Sequence, residues 1–103
     1  MNLEEELTKE LRATYETARK HGYVATYYLQ MLEQLGGRKT AIRLLAKQGI
    51  QRGLMKFAEI GLLEESLEAI VLKEKYRSLF SDDEKVYLDE ARRRLEALKD
   101  FKI

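Results

Sequence analysis

GYVATYYLQMLEQLGG, residues 22–37, decides whether this chain contains a sheet. Its first part, YVATYY at 23–28, has the β-branched and aromatic make-up of a strand. Its second part, LQMLEQL at 29–35, spaces its apolar residues three and four apart, the period of a helix face. A strand needs a partner, and no second strand-like stretch lies nearby. The segment therefore reads as a helix from about Val24 to Leu35, with Tyr27, Tyr28, Met31, Leu32 and Leu35 on its apolar side. Gly36 and Gly37 end it. The fold class that follows is all-α.

Working outward, glycine supplies the punctuation, because the chain has no proline. On the N-terminal side, Asn2 can cap a first helix, with Glu4, Glu5 and Glu6 beside its positive end. Leu3, Leu7, Leu11, Tyr15 and Ala18 give that helix one apolar face. Arg19, Lys20 and His21 suit its negative end, and Gly22 stops it. On the C-terminal side, a helix over about Arg38 to Lys47 places Ala41, Ile42, Leu44, Leu45 and Ala46 on one arc. Lys39, Arg43 and Lys47 lie opposite. Gly49 breaks it. A further helix over about Gln51 to Ile60 turns Leu54, Met55, Phe57 and Ala58 inward, and Gly61 ends it.

Residues 64–74 read as a helix built on Leu67, Ala69, Ile70, Val71 and Leu72, apolar on more than one side. KYRSLF at 75–80 reads as a short helical turn. Ser81-Asp82-Asp83-Glu84 has the capping-box pattern that opens a last helix, striped by Tyr87, Leu88, Ala91, Leu95 and Leu98. The expectation is one compact domain over residues 1–103, a bundle of about six short helices with short loops.

The chain has 103 residues, enough for one domain that folds alone. It has no Cys and a single His, which removes disulfides, zinc fingers and most transition-metal sites. No EF-hand spacing occurs, so no metal site and no cofactor is expected. The acidic start MNLEEELTKEL is unlike a signal peptide, and no apolar run approaches the roughly 18 residues of a membrane helix. A cytoplasmic protein without membrane contact is expected. A nucleophile would have only His21 as a base, and His21 fits a helix end. Asp82, Asp83 and Glu84 fit a helix start. GGRKT lacks the spacing of a phosphate loop. No catalytic residue is assigned, and neither an enzymatic activity nor a small-molecule substrate is expected.

Net charge is +1, but it is unevenly spread. Residues 1–37 carry four bases and six acids; residues 62–103 carry nine bases and eleven acids. Residues 38–61 carry six bases against Glu59 alone. Lys39, Arg43, Lys47, Arg52 and Lys56 could thus contact phosphates from two successive helices. The segment has the outline of a helix-turn-helix, yet Leu45 is large where a small residue is usual, and beyond Gln51, Arg52 and Lys56 little could read bases. The competing reading is a solvated face, since lysine and arginine are good helix formers.

The second feature is tyrosine: six of them, with no Trp. Tyrosine is amphipathic and frequent at interfaces. Adjacent Tyr27 and Tyr28 cannot both enter one narrow core stripe, so one of them lies at an edge or a partner surface. Tyr23, Tyr27 and Tyr28 are the candidate interface, for another protein or for self-association. The competing reading is half-buried core lining. Arg92, Arg93 and Arg94 read as a salt-bridged surface.

Residues 22–95 resemble a recurring bacterial all-helical domain of uncharacterised function. The resemblance rests on Gly36, Gly37, Ala41, Leu44 and Leu45, then Gly53, Leu54, Gly61, Leu63, Ser66, Glu68, Ala69, Val71 and Leu72. It continues through Tyr76, Leu79, Phe80, Glu84, Ala91, Arg92, Arg94 and Leu95. It implies a small accessory or interaction module, found alone or appended to larger bacterial proteins, some nuclease-like. The chain departs from that pattern in having Glu64-Glu65 before Ser66, where an apolar residue and an N-capping type are typical. The expected function is a protein-interaction or accessory module without catalytic activity. The alternative is nucleic-acid binding through the basic run.

Overall fold

A computed structural model describes residues 2–101. These residues form helices and no strand, as the 22–37 stretch requires. Helix α1 spans Leu3–Lys20. Its start is a complete capping box: the Asn2 side chain accepts from the Glu5 backbone N–H at 2.8 Å, and the Glu5 carboxylate accepts from the Asn2 N–H. Leu7, Leu11, Thr14 and Ala18 form its buried stripe.

Helix α2 runs over Thr26–Leu45 but is broken at Gly36, whose φ of 81° and ψ of 170° are not helical. The two helices expected on either side of Gly36-Gly37 are therefore its two arms. Only glycine takes that φ without strain. Gly37 has a different task. Its N–H donates to the Thr8 hydroxyl at 2.8 Å, and a Cβ there would lie 2.9 Å from the Thr8 backbone nitrogen. The break is thus a place where α1 and α2 come close together. The helix begins at Thr26, two residues later than the spacing predicts, and Val24 is exposed. It ends at Leu45, so Ala46 and Lys47 lie outside it, and Ala46 is exposed, not inward.

Helix α3 is Arg52–Glu59, burying Leu54, Phe57 and Ala58. The helix expected over 64–74 is much shorter. A 3-10 turn at Leu63–Glu65 comes first, then Ser66 caps α4, Leu67–Val71, by accepting from the Ala69 N–H. Adjacent Glu64 and Glu65 stay exposed, and the Ser66 hydroxyl bonds backward to the Leu63 carbonyl at 2.7 Å as well. A second 3-10 stretch, Glu74–Leu79, buries Tyr76.

Helix α5 is Lys85–Leu98. Only half of the expected capping box forms: Glu84 accepts from the Ser81 N–H at 2.9 Å, but no Ser81 side-chain cap is made, and residues 82–84 are a turn. Glu84 is instead shared with Arg38, which also donates to the Leu79 carbonyl at 2.8 Å.

Two apolar clusters hold the bundle. The larger joins Leu7, Leu11, Leu32, Ala41, Leu45, Ile70, Val71, Tyr76, Leu88 and Ala91; the smaller joins Leu54, Ala58 and Leu98. Helix α1 lies along α2 and also meets α4, the 74–79 turn and α3. The radius of gyration, 12.7 Å, is that of a close-packed chain of this size.

Candidate binding groove

The two signals that stand out in the sequence, the tyrosines and the basic run, meet in one place. An open groove of about 450 Å³ lies between the end of α1, the start of α2 and the start of α3. Its walls are Tyr15, Tyr23, Tyr27 and Tyr28, backed by Met31, Leu54 and Phe57. Tyr27 is 82% exposed and Val24 61%, whereas Tyr28 is half-buried. The adjacent tyrosines do part company, one outward and one inward.

Each wall is set by a local cause. Gly22 turns the chain out of α1, which brings Tyr23 over the first turn of α3: a Cβ on Gly53 would lie 3.9 Å from the Tyr23 ring. Tyr28 donates its hydroxyl to the Leu11 carbonyl, one α1 turn inward, at 2.8 Å. Burial pushes its pKa above the ordinary phenol value, so it stays a neutral, fixed donor. Thr14 crosses from α1 to donate to the Glu65 carbonyl at 2.9 Å, fixing the chain that leads into Ser66, Leu67 and Glu68, which also line the groove.

Of the five basic residues, Lys47 and Arg52 line the groove. Lys39, Arg43 and Lys56 do not. Lys39 and Arg43 are exposed on the second arm of α2, and Lys56 is half-buried. Among the described residues, none of the five takes part in an ion pair. Arg38, the sixth base of the run, is withdrawn to Glu84 and Leu79.

The sequence reading missed what lies under the groove. Arg94 is completely buried, not part of a salt-bridged surface as its two neighbours are. It donates to Glu90 at 2.7 Å, to Glu68 at 3.3 Å, and to the carbonyl of Lys47 at 2.6 Å and of Leu44 at 3.4 Å. The Leu44 carbonyl belongs to the last turn of α2 and the Lys47 carbonyl lies just beyond it, where the helix no longer supplies N–H partners. One guanidinium thus ties α5, α4 and the end of α2. A signal was present: Ala91, Arg94 and Leu98 are three and four apart, on the buried face of α5.

Charge at this site is unevenly held. Hydrogen bonds from Arg93 and Arg94 pull Glu90 down to about 2. Burial raises Glu68 above the carboxylate range although Arg94 opposes it. One turn toward the start of α1, buried Tyr76 donates to Glu10, and burial together with that bond pushes the phenol up to about 12. Burial would raise Glu10, but the hydrogen bonds from Lys73 and Tyr76 outweigh it, and its pKa falls.

His21 donates its Nδ1–H to the Thr17 carbonyl at 2.9 Å, at the end of α1 where its spacing places it. Among the described residues no group of three or more potential metal ligands comes together, and no helix is long and apolar enough to cross a membrane. No protein-family model, no curated protein and no solved structure matches the chain.

Proposed function

We propose that this chain is a small, non-catalytic interaction module of the cytoplasm, which docks a protein partner in the tyrosine-lined groove. One observation carries the reading: Tyr27 and Val24 stand exposed on the wall of a groove already lined by three more tyrosines. Tyrosine offers a large contact area with only two side-chain torsions to freeze, which is why it anchors interfaces. The polar groups beneath are engaged within the chain, Glu68 with Arg94 and Tyr28 with Leu11. They brace the groove. The cysteine-free composition suits a reducing compartment.

The test compares wild type with Tyr27→Ala as baits, with sedimentation equilibrium of both. A protein retained by wild type and lost by the variant supports docking in the groove. A concentration-dependent dimer lost in the variant makes the partner a second copy. Identical retention and identical mass in both would end the reading.

A second reading, nucleic-acid binding, is favoured by one fact: Lys39, Arg43, Lys47 and Arg52 are exposed and unpaired among the described residues. The withdrawal of Arg38 and the half-burial of Lys56 shrink the array. Anisotropy of labelled DNA and RNA over a salt series, with Lys39→Glu/Arg43→Glu as control, decides it.

A further inference from the structure

The docking reading leaves the partner's chemistry open; resting on that reading, we infer that the groove takes an acidic peptide segment. An aromatic or long aliphatic anchor enters between the tyrosines, and a flanking Asp or Glu meets Lys47 and Arg52. The argument is one of charge complementarity. Three charged residues line the groove: Lys47, Arg52 and Glu68. Glu68 is buried and bonded to the buried Arg94, so its charge is already answered within the fold. Lys47 and Arg52 are exposed, and neither is in an ion pair among the described residues. The groove therefore presents two unanswered positive charges beside an apolar wall.

The same end holds the first turn of α3. No side chain caps it and no acid lies in that turn. Arg52, Gly53 and Leu54 of this turn line the groove, so its backbone N–H groups add to the positive end of the site. A basic segment would meet repulsion there, and a neutral one would leave both cations bare. The volume, about 450 Å³, is enough for one or two large side chains and too small for a folded element.

The experiment is a selection of a random-peptide display library on the intact protein, followed by anisotropy of the enriched peptides against wild type, Tyr27→Ala and Arg52→Glu. Both positions are exposed, and an acid at the first position of a helix suits its dipole, so both variants fold. Enriched peptides that pair Phe, Trp, Tyr or Leu with Asp or Glu, weaken about tenfold on Arg52→Glu and weaken with salt, are the expected result. Enriched peptides that are neutral or basic, yet lost on Tyr27→Ala, would overturn the acidic class while the groove remains the docking site. No enrichment, or peptides indifferent to both variants, would overturn the docking reading with it.

Discussion

Arg94 of α5 donates to the carbonyl of Lys47 at 2.6 Å, so a buried guanidinium closes the end of a helix some 47 residues away in sequence. Lys47 lines the groove, and its backbone is held from below by a residue of the last helix. Removing this support strands Glu68 as an unpaired buried acid. Arg94→Met is expected to cost about 3–5 kcal/mol, the usual penalty for breaking a buried pair from one side. Arg94→Met combined with Glu68→Met is expected to cost less than Arg94→Met alone. Urea unfolding of the two variants measures the difference, and a double variant no more stable than the single one would show that the pair is not the main cause.

Two glycines give opposite outcomes. Gly37→Ala forces a Cβ to within 3.0 Å of the Thr8 backbone, which is not a flexible neighbour, and is expected to destabilise by about 1–3 kcal/mol. Gly53→Ala meets only Tyr23 at an ordinary 3.9 Å and lies inside α3, so a gain of about 0.5–1 kcal/mol is expected. Thermal melts of both variants beside wild type are sufficient; a destabilised Gly53→Ala would mean that Tyr23 sits closer than the structure has it.

Thr40 is completely buried, and among the described residues its hydroxyl has no hydrogen-bond partner. An unpaired buried hydroxyl costs free energy that a methyl of the same shape does not. Thr40→Val is therefore expected to stabilise by about 1 kcal/mol, read from the urea midpoint. A clear loss would imply that a water bonds the hydroxyl.

Acid should weaken the fold most through Glu90. Its pKa falls from an ordinary 4.5 to about 2 on folding, so its stabilisation is complete above 4.5 and is lost as pH drops toward 2. Glu10 and Glu84 shift in the same direction. Glu68, raised by burial, works the other way: its burial costs stability once it ionises, and protonation relieves that cost. Glu90→Gln is expected to flatten the acid limb of a stability–pH curve between about 4.5 and 2. An unchanged limb would assign acid sensitivity to the other carboxylates.

The all-α class, α1 with its cap, and most of the buried faces of α1 and α3 follow from spacing, although Thr14 is buried where Tyr15 is expected and Met55 is only half-buried. The 63–74 region was less legible. Its apolar run satisfies a long helix, but Ser66 bonds both forward and backward and confines the regular part to Leu67–Val71. The start of α5 misled because the Glu84 N–H donates to the Ser81 carbonyl at 3.0 Å, closing a turn, and not to the Ser81 hydroxyl. Tyr27 and Tyr28 were separable in the sequence because adjacent helix residues point different ways. That Lys47 and Arg52, but not Lys39 or Arg43, would join the tyrosines depends on how the arms of α2 and α3 are set, which spacing within one helix does not carry.

The break at Gly36 has a consequence for how the chain can vary. Tyr27, Tyr28 and Met31 before it wall the groove, whereas Lys39 and Arg43 after it are exposed and are not part of the lining. Tyr27 on one side and Lys39 and Arg43 on the other share no partner among the described residues, so the effects of substituting them should add. The aromatic lining and the outer charge can drift, or be engineered, as separate traits, and a new partner preference on one surface need not disturb the other.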